Sequence, residues 1–199
     1  MKNNIELHYK DKKYIVGLDE AGRGAWAGPI TVAAVILPQG FSDDILNDSK
    51  KMTRIAREKY FTIIKEQAVD WVIVDMSVEE VEKLGPKKAS ILGMQICLKQ
   101  LKQKPDFVIT DFEKIESDIE QLNLVKGDSL SNSVAAASVL AKVRRDSLME
   151  MYDHKYSGYG FKNNVGYGTK KHSEALKTLG VTSIHRKTYK PIQKLLLEK

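Results

Sequence analysis

Apolar and polar positions along this chain come in short blocks whose period changes. Tyr14-Ile15-Val16-Gly17-Leu18 is an apolar run that stops at Asp19 and Glu20. Residues 14–18 therefore read as a buried strand, with two adjacent carboxylates where it leaves the core. Residues 27–37 read as a second strand, carried by Val, Ile and Thr and ended by Pro38-Gln39-Gly40. The short connection through Gly22 to Trp26 predicts that the two strands pair antiparallel. Thr53 can cap a helix running to about Gln67, since Ile55, Ala56, Tyr60, Ile63 and Ile64 recur at helical spacing. Residues 71–74 predict a third strand. A short helix at 78–84 stops at Gly85-Pro86, and a longer one runs from Lys87 to about Gln103. Residues 106–110 form a buried-type strand that ends at Asp111, and 122–125 read as another.

A long helix is expected from about Ser129 to Tyr156. Its early part, residues 134–141, is small and apolar nearly all round, which suits close packing in the middle of the molecule. Residues 157–169 carry four glycines with Tyr159, Phe161 and Tyr167 and read as a loop. Helices at 172–179, closed by Gly180, and at 192–198 follow. No repeat, low-complexity tract or long linker divides the chain. The order of elements predicts one α/β domain, residues 1–199, on a mixed sheet flanked by helices, with a helical C-terminal part.

Composition narrows the class. With 199 residues the chain is long enough for one sizeable core. No apolar run approaches the roughly 20 residues needed to span a bilayer, and the first residues lack a secretory pattern. Cys97 is the only cysteine, so an intramolecular disulfide and the usual zinc clusters are excluded. A reducing cytoplasm is the expected compartment. Net charge is +6, but residues 1–140 are net −2 and residues 141–199 net +8. A basic flank from about residue 141 beside an acidic pocket suits a polyanion held by its phosphates. It also suits a merely soluble surface.

Four acids stand at predicted element ends: Asp19, Glu20, Asp111 and Asp128. Adjacent carboxylates repel and are costly to desolvate unless a cation neutralises them. Neighbouring strands would bring Asp19 and Asp111 together, whereas Asp128 could equally be a helix cap. Oxygen ligands without cysteine favour Mg²⁺ or Mn²⁺ over zinc. A pair of such ions can activate water for displacement at phosphorus. His8, His154, His172 and His185 show no zinc spacing and read as structural or surface residues. Gly22-Arg23-Gly24 adds close backbone approach and an anion-binding side chain.

Seven segments in order carry a resemblance. They are 17–24 with Ala27-Gly28-Pro29, Asn47-Asp48-Ser49-Lys50, 107–111, Lys126-Gly127-Asp128, the 135–138 and 141–146 parts of the long helix, Gly166-Tyr167-Gly168-Thr169 with His172, and Ile184-His185-Arg186. The chain resembles the bacterial ribonuclease HII family, which acts on RNA in RNA/DNA duplexes and at ribonucleotides embedded in DNA. Arg23 within the glycine turn favours this family over its relative ribonuclease HIII. The resemblance implies a ribonuclease H-like fold, a monomer, and a role in ribonucleotide excision repair.

It further implies that Asp19, Glu20, Asp111 and Asp128 bind two divalent ions and carry catalysis, and that Gly22, Arg23 and Gly24 read the 2′-hydroxyl. Tyr167 would pack on the sugar, and Ser49 and Lys50 would contact phosphate, with Lys142, Arg145 and Arg186 as weaker substrate contacts. Phe112 departs from the family pattern, which commonly has glycine there. Trp26 replaces a smaller apolar residue beside the groove, where it could pack or touch nucleic acid. Gly85-Pro86-Lys87-Lys88 lacks the family's asparagine, which Lys87 and Lys88 could replace electrostatically. The expected activity is metal-dependent endonucleolytic cleavage of the RNA strand of hybrids, and 5′ of ribonucleotides in duplex DNA. Rival readings are ribonuclease HIII-like action on long RNA tracts only, a non-catalytic nucleic-acid binder, and a small-molecule phosphatase.

Overall fold

The computed structural model describes residues 4–41, 46 and 52–197, and its centre is a five-stranded mixed sheet. The strands are β1 (Ile15–Ala21), β2 (Ile30–Ile36), β3 (Asp70–Met76), β4 (Phe107–Asp111) and β5 (Gln121–Leu124), in the order β3-β2-β1-β4-β5. β1 and β2 pair antiparallel, as the short connection predicts, and so do β2 and β3. β4 adds parallel to β1, and β5 parallel to β4. β1 thus lies in the middle, where pairing changes from antiparallel to parallel.

β1 runs further than its apolar run. Asp19 pairs with Ala33, Glu20 with Val32 and Ala21 with Thr31, so both acids sit inside the strand rather than after it. The ladder to β2 satisfies their backbone groups, which lets polar residues continue a buried strand.

Seven α-helices lie among the described residues: α1 (Arg54–Gln67), α2 (Val78–Leu84), α3 (Pro86–Gln100), α4 (Asn132–Lys155), α5 (Phe161–Asn164), α6 (Lys170–Leu179) and α7 (Lys190–Leu197). Thr53 caps α1 by accepting from Ala56 N at 3.2 Å. Ser77 and Glu80 form a capping box on α2. α3 stops three residues earlier than its periodicity suggests. There the Asp70 carboxylate accepts from Lys102 N and Gln103 N at 2.7 and 2.9 Å and draws the chain into an extended path. α4 also starts late, because a 3-10 turn at Gly127–Ser129 precedes it and Ser131 is its cap. The sequence pattern misses the 3-10 turn Ile5–His8 and the four-residue α5, both too short to show a period.

The two sheet faces carry different cores. Val16, Leu18, Val32 and Ala34 pack with Met94 and Cys97 of α3. Ala33 and Val35 pack with Ala135, Ala136 and Ala137 of α4 and with Ile64 of α1. Gly17 sets the spacing on the α4 side. A Cβ there would stand 2.1 Å from the Ser133 carbonyl carbon and 2.2 Å from Val134 N. Backbone meets backbone at that point, which explains the run of small residues on α4. Met149, Phe161, Leu176, Ile184 and Ile192 make a third core that joins the C-terminal part to the end of α4. Among the described residues no helix is long and apolar enough to cross a membrane.

Candidate active site

Strand alternation sends the two adjacent acids to opposite faces. Asp19 shares the α4 face with Gly17, while Glu20 shares the α3 face with Leu18. The β1–β4 register pairs Leu18 with Thr110, so one further step sets Asp19 abreast of Asp111 on the neighbouring strand. Asp19 is buried, and its Oδ1 accepts from Glu20 N at 2.7 Å. The Ser138 hydroxyl of α4 also bonds its carboxylate. Burial pushes the Asp19 carboxyl well above the usual range, and the charges of Glu20 and Asp111 push it further. Glu20 is raised as well, by burial first, against the lowering pull of Arg23.

Asp128 is buried in the 3-10 turn ahead of α4. It is not the cap of that helix, because Ser131 Oγ takes Val134 N at 3.2 Å. Asp111 is tied to the same turn, its Oδ1 accepting from Gly127 N at 2.9 Å. Glu20 Oε1 faces Arg23 Nη1 at 3.3 Å, while its buried Oε2 accepts no hydrogen bond. With Glu20 drawn to Arg23 and Asp111 to Gly127, no three His, Cys, Asp or Glu side chains among the described residues converge as a finished cage for an ion. The donor set still fits a hard divalent cation. It is all carboxylate oxygen, the charges of Glu20 and Asp111 raise the buried Asp19 further, and Glu20 keeps one buried oxygen unsatisfied.

The Gly-Arg-Gly turn is held from behind. Gly22 has φ 92° and is buried, and a Cβ on it would lie 1.8 Å from Arg145 Nε. The Arg23 carbonyl accepts from Arg186 Nη1 at 3.0 Å and from the Tyr189 hydroxyl at 2.6 Å. Gly24 is exposed beside the ring of Tyr167, which is 41% exposed. Glu20, Gly22, Arg23, Gly24, Lys142 and Tyr167 line one open groove of about 410 Å³. Arg57 and Ser138 also line it; Ser138 closes the 135–138 segment of the resemblance, whereas Arg57 belongs to no motif that sequence reasoning singles out.

Two expected substrate contacts require correction. Arg145 and Arg186 are 1% and 0% exposed. Arg145 donates to the carbonyls of Pro29, Val165 and Ala27 at 2.8–3.1 Å. Arg186 donates to Gly28, Pro29 and Arg23 carbonyls and to Tyr189. Each guanidinium is consumed in pinning loops and reaches no surface. Lys142 lines the groove but is paired with Asp146 at 2.5 Å. Ser49 and Lys50 lie outside the described residues.

The departures resolve physically. Phe112 adopts φ 72°, the left-handed turn that glycine enters without cost, and its ring is exposed. Trp26 packs, and a Cβ on Gly168 would fall 2.0 Å from its ring. Lys87 pairs with buried Glu113 at 3.3 Å, and Glu113 is also bound by Arg23. Those two cations hold the Glu113 carboxyl below its ordinary value against the raising effect of burial. Sequence reading passes Glu113 over. Deeper in the C-terminal part, His172 and His185 meet Nε2 to Nε2 at 3.1 Å. Thr182 N donates to His185 Nδ1, and His172 Nδ1 faces the Tyr167 carbonyl at 3.0 Å. Both are buried and structural.

A mixed sheet carrying acids near its strand ends, with a helix packed backbone to backbone on its middle strand, is the ribonuclease H-like fold class. The fold matches that of ribonuclease H2 from Pyrococcus horikoshii OT3 at a TM-score of 0.79, with 23% identity over 93% of this chain and 98% of the other. It also matches Bst-RNase HIII in complex with Mn²⁺ at a TM-score of 0.72, with 19% identity over 93% of this chain and 70% of the other. The family model for Ribonuclease HII matches residues 16–192. Ribonuclease HII of Listeria monocytogenes serotype 4b is 44% identical over 96% of this chain and 74% of its own length. The chain belongs to the ribonuclease HII family, endoribonucleases that act as ribonucleases H on RNA/DNA.

Proposed function

We propose that this chain is a divalent-metal-dependent endoribonuclease that cuts the RNA strand of RNA/DNA hybrids and cuts 5′ of single ribonucleotides embedded in duplex DNA. The observation that carries this reading is the gathering of Asp19, Glu20 and Asp111 at one sheet end, next to the glycine turn, where burial and then the charges of Glu20 and Asp111 hold Asp19 well above the usual carboxylate range. Asp19, Glu20, Asp111 and Asp128 would hold two Mg²⁺ or Mn²⁺ ions, and a protein of the same fold has been crystallised with Mn²⁺. When bound, such ions make a water more acidic and offset charge on the leaving oxygen. The bond broken joins phosphorus to the 3′ oxygen of the preceding nucleotide, with water as the incoming group. The products are a 3′-hydroxyl and a 5′-phosphate.

The chain's own residues orient the substrate. Exposed Gly24 and buried Gly22 present backbone without side chains in the way, which suits reading a 2′-hydroxyl that is both donor and acceptor. Tyr167, half exposed across the groove from Gly24, suits packing on the sugar at the junction. Lys142, Ser49 and Lys50 would contact phosphate. Arg145 and Arg186 act on substrate only through the loops they hold. We further propose that the chain works as a cytoplasmic monomer and as one domain, in ribonucleotide excision repair.

The test is a DNA duplex with one ribonucleotide, incubated with folded protein and Mg²⁺ or Mn²⁺, with and without chelator. The expected result is one chelator-sensitive nick 5′ of the ribonucleotide. A duplex left intact in both metals overturns the reading. Cleavage of long hybrids alone leaves ribonuclease H activity but removes the single-ribonucleotide claim.

A further inference from the structure

We infer that Glu113 is a positioning residue that holds Arg23 off Glu20, so that Arg23 does not displace a divalent ion there. The inference rests on the metal reading proposed above. Arg23 spans two carboxylates. Its Nη1 stands 3.3 Å from Glu20 Oε1, and its Nη2 makes the closer contact, with Glu113 Oε1. A guanidinium left with a single carboxylate favours the two-pronged arrangement that occupies both oxygens. Because one arm of Arg23 is engaged elsewhere, Glu20 meets it through one oxygen only and Oε2 stays without a hydrogen bond. That free oxygen is the one a cation needs.

Glu113 is built into place for this task. The left-handed turn at Phe112 throws the ring outward, 62% exposed, and swings the Glu113 side chain inward, 3% exposed. Glu113 N closes the turn on the Asp111 carbonyl at 3.0 Å. The Glu113 carbonyl accepts from Thr110 Oγ1 at 2.7 Å and Asn123 Nδ2 at 3.0 Å, so neighbouring strands fix its backbone. Lys87 Nζ, from the start of α3, stands 3.3 Å from Oε2 and steadies the other side of the carboxylate. A buried carboxylate so fully engaged is no metal ligand. Its effect on the site passes through Arg23.

The experiment is a double-mutant cycle read by calorimetric Mn²⁺ binding without substrate, after thermal melting has verified folding. Glu113→Gln weakens Mn²⁺ binding about tenfold, the size typical of losing a residue that orients a ligand. Glu113→Asp keeps the charge but shortens its reach, and it also weakens binding. In an Arg23→Ala background both substitutions leave Mn²⁺ affinity unchanged, because the rival for Glu20 is gone. Equal losses in both backgrounds, or normal binding by folded Glu113→Asp, overturn the inference, since Glu113 would then act only through its own charge. A folded wild-type chain that binds no Mn²⁺ removes the metal reading itself, and this inference with it.

Discussion

Asp19 and Arg186 are both buried charges near the Gly-Arg-Gly turn, and the molecule treats them in opposite ways. Arg186 makes five hydrogen bonds, to three backbone carbonyls and a tyrosine hydroxyl, and every one holds a loop. Arg145 beside it donates to three more carbonyls, and burial lowers it only to about 10, so it stays cationic at neutral pH. The acids are left in a worse state. Burial and neighbouring carboxylate charges push Asp19 and Glu20 up, and one Glu20 oxygen is unsatisfied. A buried charge that is satisfied from within is architecture. One that remains short of partners in a groove is poised for a ligand from outside.

The strongest way to break this contrast is Asp19→Asn. Cleavage should fall about a thousandfold or more, while the melting temperature holds or rises by about a few degrees, since a repelled buried charge is gone. Nicking rates and thermal melts measure both halves. A large loss of stability would make Asp19 architectural after all. Arg186→Met should do the reverse. Stripping several buried carbonyls of their donor costs about 3–5 kcal/mol in urea unfolding, and activity falls because the turn is released.

A smaller effect comes from the histidine pair. Burial lowers both below 6.5, and His185 reaches about 4, with the His172 charge adding to it. A depressed histidine binds its proton more weakly folded than unfolded. Its contribution is therefore complete above about pH 6.5 and lost as pH falls toward 4, a difference of about 3 kcal/mol for His185. Urea midpoints of wild type and His185→Asn across that window should show a shallower slope in the variant, where only His172 of the pair remains. The smallest effect is Phe112→Gly. Relief of the left-handed strain, less the added freedom of the unfolded chain, should raise stability by about 1 kcal/mol or less. A drop would mean that the exposed ring contributes more than its backbone costs.

Legibility in the sequence followed the same divide. Asp19, Glu20 and Asp111 stand out because each interrupts an apolar run, and a strand that ends in acids is visible without coordinates. Asp128 was ambiguous, since a helix cap explains it equally well. Only the cap at Ser131 removes that option. Arg145 and Arg186 looked like surface cations because nothing local marks an arginine as buried. Their carbonyl partners lie up to 163 residues away. Glu113 was invisible for a related reason. Asp111-Phe112-Glu113-Lys114 reads as a charged loop, and burial of Glu113 depends on a backbone angle that Phe112 rarely adopts. All five strands were legible with ends off by one to three residues, and the end of α3 and the start of α4 were set by distant or irregular contacts.

The grip of Arg186 and Tyr189 on the Arg23 carbonyl also has a meaning in time. A ribosome delivers the Gly-Arg-Gly turn early and its clamp among the last residues of the fold. Until that closure across 163 residues is made, a growing chain already carries all four acids but lacks the donors that fix the turn. Long-range closures of this kind form late and slowly. A chain that stops short of residue 186 therefore leaves the Arg23 carbonyl without its Arg186 and Tyr189 donors.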